Sequence, residues 1–232
     1  MILRKPIIKL SSAHLLALLL LCLLVASFAL TRVSGVARIL AVAFFGTLVW
    51  LIYRKAGLAP RDVGLARSSL LSGLMWGLGA AAVVGLVIFV AASVEPHYFM
   101  DKRYHETLPQ AIITSLFFIP FATVIFEELV FRGVLLALLG RQYSLKLSVL
   151  ISSLCFGLWH AFSSLGVSGT LFGNVDGVHK LLTMVVVIAA TGTAGAIFCL
   201  LRIRSGSIIA SMFAHWSINA FALIAAAIVW AR

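Results

Sequence analysis

The sequence predicts an all-α fold, a polytopic transmembrane helical bundle of about seven spans, with six to eight as limits. Two features of composition and one of pattern lead there. Hydrophobic residues make up 62% of the 232 residues and charged residues 11%, against about half and about a quarter in soluble domains. The apolar residues gather in runs long enough to cross a bilayer. The basic residues behind the net charge of +11 lie in the short gaps between those runs, as in the loops of membrane proteins. No segment concentrates them into a basic patch, so nucleic acid is not an expected partner. Membrane lipids are.

The spans are read as 13–30, 36–53, 70–93, 107–139, 147–165, 180–201 and 206–230. No linker divides them, so residues 1–232 read as one integral membrane domain. Arg4, Lys5 and Lys9 precede the run Leu15 to Leu30, which has span length and no A-x-A site after it. It reads as an uncleaved first helix. The third span carries Gly73, Gly77, Ala81 and Gly85 at four-residue spacing, a small-residue face on which another helix backbone can approach closely. The fourth span has about 33 residues and roughly 50 Å of helix, against a hydrocarbon core of about 30 Å. Pro120 lies in its middle and removes a helix hydrogen bond, so a kink, a break or a steep tilt is expected. The stretch Gly166 to Gly177 has no phosphate-loop ending. It reads as a flexible connection, with a lid that gates the site as the functional alternative.

Cys22, Cys155 and Cys199 lie inside apolar runs without CxxC spacing and read as small buried hydrophobes. Loop charge sets the orientation. With the N-terminus cytoplasmic, Lys and Arg at 4, 5, 9, 54, 55, 61, 67, 141, 146, 202 and 204 face the cytoplasm; those at 32, 38, 102, 103, 180 and 232 face the other side. This excess favours an N-in, C-out chain in the cell membrane.

Only Arg132 remains inside a span, together with two of the seven acidic residues, Glu127 and Glu128. An ionised group near the bilayer centre costs about 2.5–3.5 kcal/mol. Glu128 and Arg132 are four apart and share a helix face, so they can pair. Glu127 is rotated about 100° away and faces a different partner. His160 lies in the fifth span; His215 and Asn219 lie one turn apart in the seventh. Measured from one membrane face, Glu127 and His160 are each roughly 20 Å deep and His215 roughly 14 Å. Three helices therefore offer Glu, His and His-Asn at similar depth. A buried carboxylate beside an imidazole can activate water, and a second His with an Asn can stabilise an oxyanion. That constellation suits amide hydrolysis. A serine nucleophile is not favoured, because no Gly-x-Ser-x-Gly or intramembrane Ser-His-Asp set is present. A proton-coupled transporter and a non-catalytic membrane scaffold on the same fold are the alternatives. Against the transporter, the chain shows no repeat of two similar halves.

Glu127-Glu128-x-x-x-Arg132, Phe156-x-x-x-His160 and His215-x-x-x-Asn219 resemble the three motifs of the CPBP family. This family comprises CAAX-processing and bacteriocin-processing or self-immunity intramembrane proteases, also called Abi proteins. The resemblance covers about residues 107–225, the expected catalytic core. Seven spans is one fewer than the eight of some relatives. The resemblance implies an intramembrane endopeptidase acting on a membrane-associated or lipidated protein or peptide. Glu127 would be the general base and His160 would hold or polarise the water. His215 and Asn219 would form the oxyanion hole, with Glu128, Arg132 and Phe156 organising the site. Trp159 and Trp216, beside the histidines, would wall the pocket or simply pack. The family is often described as metalloproteases. Glu127, His160 and His215 could form a His₂Glu zinc site with one position left for water. A metal-free, glutamate-activated water is the other possibility.

Overall fold

A computed structural model describes residues 11–100, 105–164 and 177–232. Seven of its helices are long and apolar enough to cross a membrane: α1 Ser12–Leu30, α2 Gly35–Lys55, α3 Leu70–Val94, α4 Leu108–Gly140, α5 Leu145–Ser164 with a turn at His160, α6 Gly177–Ser205 and α7 Ile208–Trp230. The described residues contain no strand. The chain is an all-α, multi-pass membrane bundle. Large apolar side chains such as Leu21, Phe44 and Leu86 stand exposed on its outside. They cost nothing there, because lipid solvates them.

Local chemistry sets several helix starts. Ser11, Ser144 and Ser207 accept backbone N–H groups at the first turns of α1, α5 and α7, as N-caps do. Thr107 and Gln110 form a capping box at the start of α4. α4 then runs without a break through Pro120. π-helical turns at Thr114–Phe118, Pro120–Val124 and Leu129–Leu135 alternate with α-helical ones. The missing N–H of Pro120 is absorbed by widening the turns around it, so no break forms. Arg38, grouped with the loop charges on sequence grounds, lies inside α2. Its guanidinium donates to the Ala122 carbonyl of α4 at 3.3 Å and to the Leu30 carbonyl ending α1 at 2.7 Å. Ala122 lies within a π-helical turn.

The small-residue face of α3 is the one that meets α7. Gly73, Gly77, Ala81 and Gly85 are all buried. A Cβ on Gly77 would lie 2.9 Å from the Phe213 Cβ and 3.3 Å from the Ala210 Cα. A similar approach joins α5 to α6, where a Cβ on Gly157 would sit 2.6 Å from the Ile188 carbonyl oxygen. One buried cluster gathers Leu19 of α1, Phe45 of α2, Phe131 of α4, Phe156 of α5, Phe198 of α6 and Ala214 of α7. The first α-helical segment of α5 ends at Trp159, and helix resumes over 161–164 after a turn at His160. α6 extends past the sixth run at both ends and takes in Lys180, Arg202 and Arg204. Residues 166–176 of the glycine-rich stretch lie outside the described residues.

The connection between α2 and α3 is held by side chains from elsewhere. Arg141 donates to the Ala56 carbonyl at 2.7 Å and Arg202 to the Asp62 carbonyl at 3.2 Å, while the Ile208 N–H donates to the Gly64 carbonyl at 3.1 Å. Leu58 and Val63 of this connection are buried in the main core. Gly64 has φ +77° and lies against the Arg202 guanidinium, where a Cβ would collide. It must be glycine both for its backbone and for its neighbour.

The α3–α7 seam yields a prediction. Gly77→Val should destabilise the protein in detergent by about 1–3 kcal/mol through overpacking. Gly79→Val, where a Cβ meets nothing within 4 Å, should leave the thermal midpoint nearly unchanged. Circular dichroism melts of both variants check this.

Candidate active site

The site is built around one ion pair. The Arg132 guanidinium donates to Glu128 Oε1 at 3.0 Å, and both side chains are fully buried. Their four-residue spacing on α4 predicts the pair. The rest of the arrangement comes from other helices. His215 of α7 places Nδ1 2.9 Å from the same Glu128 Oε1. A carboxylate oxygen accepts from Arg132 and His215 together, so Glu128 ties α4 to α7. Around Arg132 stand the rings of Phe156 at 4.0 Å, Phe198 at 4.9 Å and Phe131 at 5.9 Å. Arg132 Nε and Nη2 have no hydrogen-bond acceptor. The aromatic faces supply the negative potential these groups would otherwise lack. Gly195 of α6 leaves room for this cage, because a Cβ there would lie 3.2 Å from Phe156 and 3.4 Å from Arg132 Nη2.

Glu127 points another way, as the 100° rotation requires. Its Oε2 lies 4.0 Å from His160 Nε2 and 3.9 Å from His215 Nε2. This oxygen is buried and has no hydrogen-bond partner among the described residues. The structure therefore brings Glu127, Glu128, Arg132, His160 and His215 together. Asn219 sits one turn beyond His215 on α7, half-buried, with no hydrogen bond among the described residues. Phe156 is edge-on to both imidazoles, at 4.8 Å from His160 and 5.6 Å from His215.

Backbone structure sets the histidine tautomers. His160 is the C-cap of the first segment of α5 rather than an interior residue, and its Nδ1 lies 2.8 Å from the Phe156 carbonyl oxygen. A carbonyl only accepts, so Nδ1 carries the proton and Nε2 turns a lone pair toward Glu127. At His215 the Nδ1–H likewise faces a carboxylate, which leaves Nε2 toward Glu127. A carboxylate oxygen and two imidazole nitrogens thus converge around one point. Two ligands of one tetrahedral zinc at about 2.0–2.2 Å would stand about 3.3–3.6 Å apart. The observed 3.9 and 4.0 Å lie between that and the about 4.6 Å expected of two atoms sharing one tetrahedral water at about 2.8 Å each. No group of three His, Cys, Asp or Glu side chains among the described residues has metal-holding geometry.

Some residues that hold the site carry no motif. Ser27 of α1 donates to the Trp159 carbonyl at 2.7 Å and so anchors the end of the first segment of α5 beside His160. The Trp216 indole N–H donates to the Ser115 carbonyl at 2.8 Å. Ser115 lies in a π-helical turn of α4, so Trp216 fastens α7 to α4. Trp159 packs on Phe126 and Phe131. Phe198 stacks on the His215 ring at 5.2 Å and 22°. Its span shows only apolar and small residues at that level, so sequence offers no signal for it.

Residues 109–221 match the family of Rce1-like type II CAAX prenyl endopeptidases. An uncharacterized 24.3 kDa protein of Escherichia coli is 29% identical over 183 residues, covering 76% of this chain and 73% of its own. No solved structure matches the chain significantly. Fold and matched segment together define a multi-pass membrane protein with a segment similar to membrane proteases. That segment, 109–221, is thus similar to the CPBP, or CAAX-protease, family. α1, α2 and α3 precede it.

The caged ion pair makes a stability prediction. Arg132→Met leaves Glu128 buried and without its cation, and should cost about 3–5 kcal/mol. Adding Glu128→Gln should recover much of that loss. Thermal unfolding of the single and double variants in one detergent measures the coupling.

Proposed function

We propose that the chain is an intramembrane endopeptidase of the glutamate-activated-water type, with its catalytic core at about 107–225 in one membrane domain. One observation carries the reading: Glu127 Oε2 lies within 4.0 Å of both His160 Nε2 and His215 Nε2 while lacking a hydrogen bond among the described residues. A water between Glu127 and His160 donates one proton toward each. As its oxygen attacks the scissile carbonyl carbon, Glu127 takes a proton from it. The carbonyl oxygen becomes an oxyanion, and the side-chain N–H groups of His215 and Asn219 stabilise it. Glu127 then delivers the proton to the departing amine, and the C–N bond breaks.

His215 donates from Nε2 only as imidazolium. Glu128 holds the Nδ1–H, fixes the ring and stabilises its charge; Arg132 and its aromatic cage keep Glu128 in place. A bound zinc would be held by Glu127, His160 and His215 and would activate the same water; no step is routed through it.

The family implies a membrane-associated prenylated protein as substrate. The excess of loop Lys and Arg on one side supports a cytoplasmic N-terminus.

Two measurements test the reading. In proteoliposomes, the full chain should cleave a farnesylated CAAX-type peptide at an internal peptide bond, resolved by mass spectrometry. Glu127→Gln should lower kcat about 10²–10⁴-fold with little change in KM; an unimpaired variant would remove the proposal. Cleavage should also persist after dialysis against a zinc chelator. Activity lost to chelation and restored by zinc would replace the metal-free mechanism with a metal-dependent one.

A further inference from the structure

α3 and α6 both pack on α7 but diverge from each other toward lipid. Between them lies a cleft of about 690 Å³, lined by Trp76, Gly79 and Val83 of α3, Ile197 and Phe198 of α6, and Ile218 of α7. Every one of these side chains is apolar, apart from the indole N–H. The floor is Phe198, which also stacks on His215.

The end of the cleft differs from its walls. On α6 the lining face continues from Ile197 through Leu201 to Arg204, at intervals of four and three residues, which is one face of a helix. Arg204 is exposed. Arg67, also exposed, lies in the turn that leads into α3. The two chain segments touch here, since a Cβ on Gly206 would lie 3.4 Å from the Ser69 Cβ. Both arginines therefore belong to chain segments that meet beyond this end of the cleft. Neither has a carboxylate or hydrogen-bond partner among the described residues. Asp62 of the adjacent connection is engaged by Arg61 and by the Ala59 N–H.

We propose that this cleft binds an anionic phospholipid, with one acyl chain against Trp76, Gly79 and Phe198 and the phosphate between Arg67 and Arg204. An apolar trough in a bilayer accepts any acyl chain. Two unpaired cations beyond its end select the headgroup, as basic pockets between transmembrane helices do. The bound chain would share the Phe198 ring with His215 and so border the site from the lipid side. The assignment concerns lipid binding and stands apart from the protease chemistry.

The test uses the full chain in phosphatidylcholine nanodiscs with a trace of phosphatidylglycerol or phosphatidylcholine bearing a photoreactive acyl chain. Labelled peptides are located by mass spectrometry. The phosphatidylglycerol probe should label the cleft faces of α3 and α6, in preference to phosphatidylcholine by about fivefold for each arginine engaged. Arg67→Gln with Arg204→Gln should bring that ratio to near one. Gly79→Leu projects into the cleft from a position where a Cβ meets nothing within 4 Å, and should lower cleft labelling severalfold with an unchanged thermal midpoint. Equal labelling by the two probes in the unaltered chain, or labelling indifferent to Gly79→Leu, would reduce the cleft to ordinary annular lipid and overturn the proposal. Displacement by a farnesylated peptide but not by unlabelled phosphatidylglycerol would assign the cleft to a substrate chain, and would overturn it equally.

Discussion

The buried pair of Glu128 and Arg132 is the constraint around which the site is arranged. Neither charge tolerates the bilayer interior alone, and a pair still loses hydration. The protein answers with more contacts than a pair needs. Three phenylalanines from α4, α5 and α6 surround the guanidinium, and an imidazole from α7 shares the carboxylate. The contacts from α5, α6 and α7 each fix the position of a different helix. The cost of burying the charges thus becomes a device for registering α5, α6 and α7 against α4, and the same register presents His160 and His215 to Glu127.

Helix α4 carries both carboxylates, and its geometry is unusual along most of its length. Pro120 cannot donate a hydrogen bond, and π-helical turns flank it and recur just after Glu128. Such turns redirect side chains and free carbonyls, and they concentrate at functional sites. Here Arg38 and Trp216 donate to carbonyls of exactly those turns, at Ala122 and Ser115. The irregular backbone is thereby satisfied from α2 and α7 without water, which a lipid-embedded helix cannot rely on.

Much of this was readable in the chain. Span number follows from apolar run length, and the α3 seam from glycines four apart. Glu128 with Arg132 follows from helical periodicity, as does the divergence of Glu127. What sequence hid depends on tertiary contact. Ser27 and Phe198 are an ordinary serine and an ordinary phenylalanine within apolar spans; only packing sets one on a carbonyl and the other on an imidazole. The capping position of His160 was hidden because the apolar run continues past the point where the first α-helical segment stops. The path of α4 through Pro120 was open because a kink, a break and a tilt all satisfy the same pattern.

The bond from Ser27 to the Trp159 carbonyl carries one more consequence. α1 lies outside the matched segment, yet its hydroxyl satisfies the last turn of the helical segment that ends in a site histidine. A fragment trimmed to the conserved-looking motifs would strip that carbonyl of its donor inside hydrocarbon, where nothing replaces it. The leading helices are therefore part of the architecture of the candidate site, and an evolutionary exchange of them would have to supply a new donor at that depth.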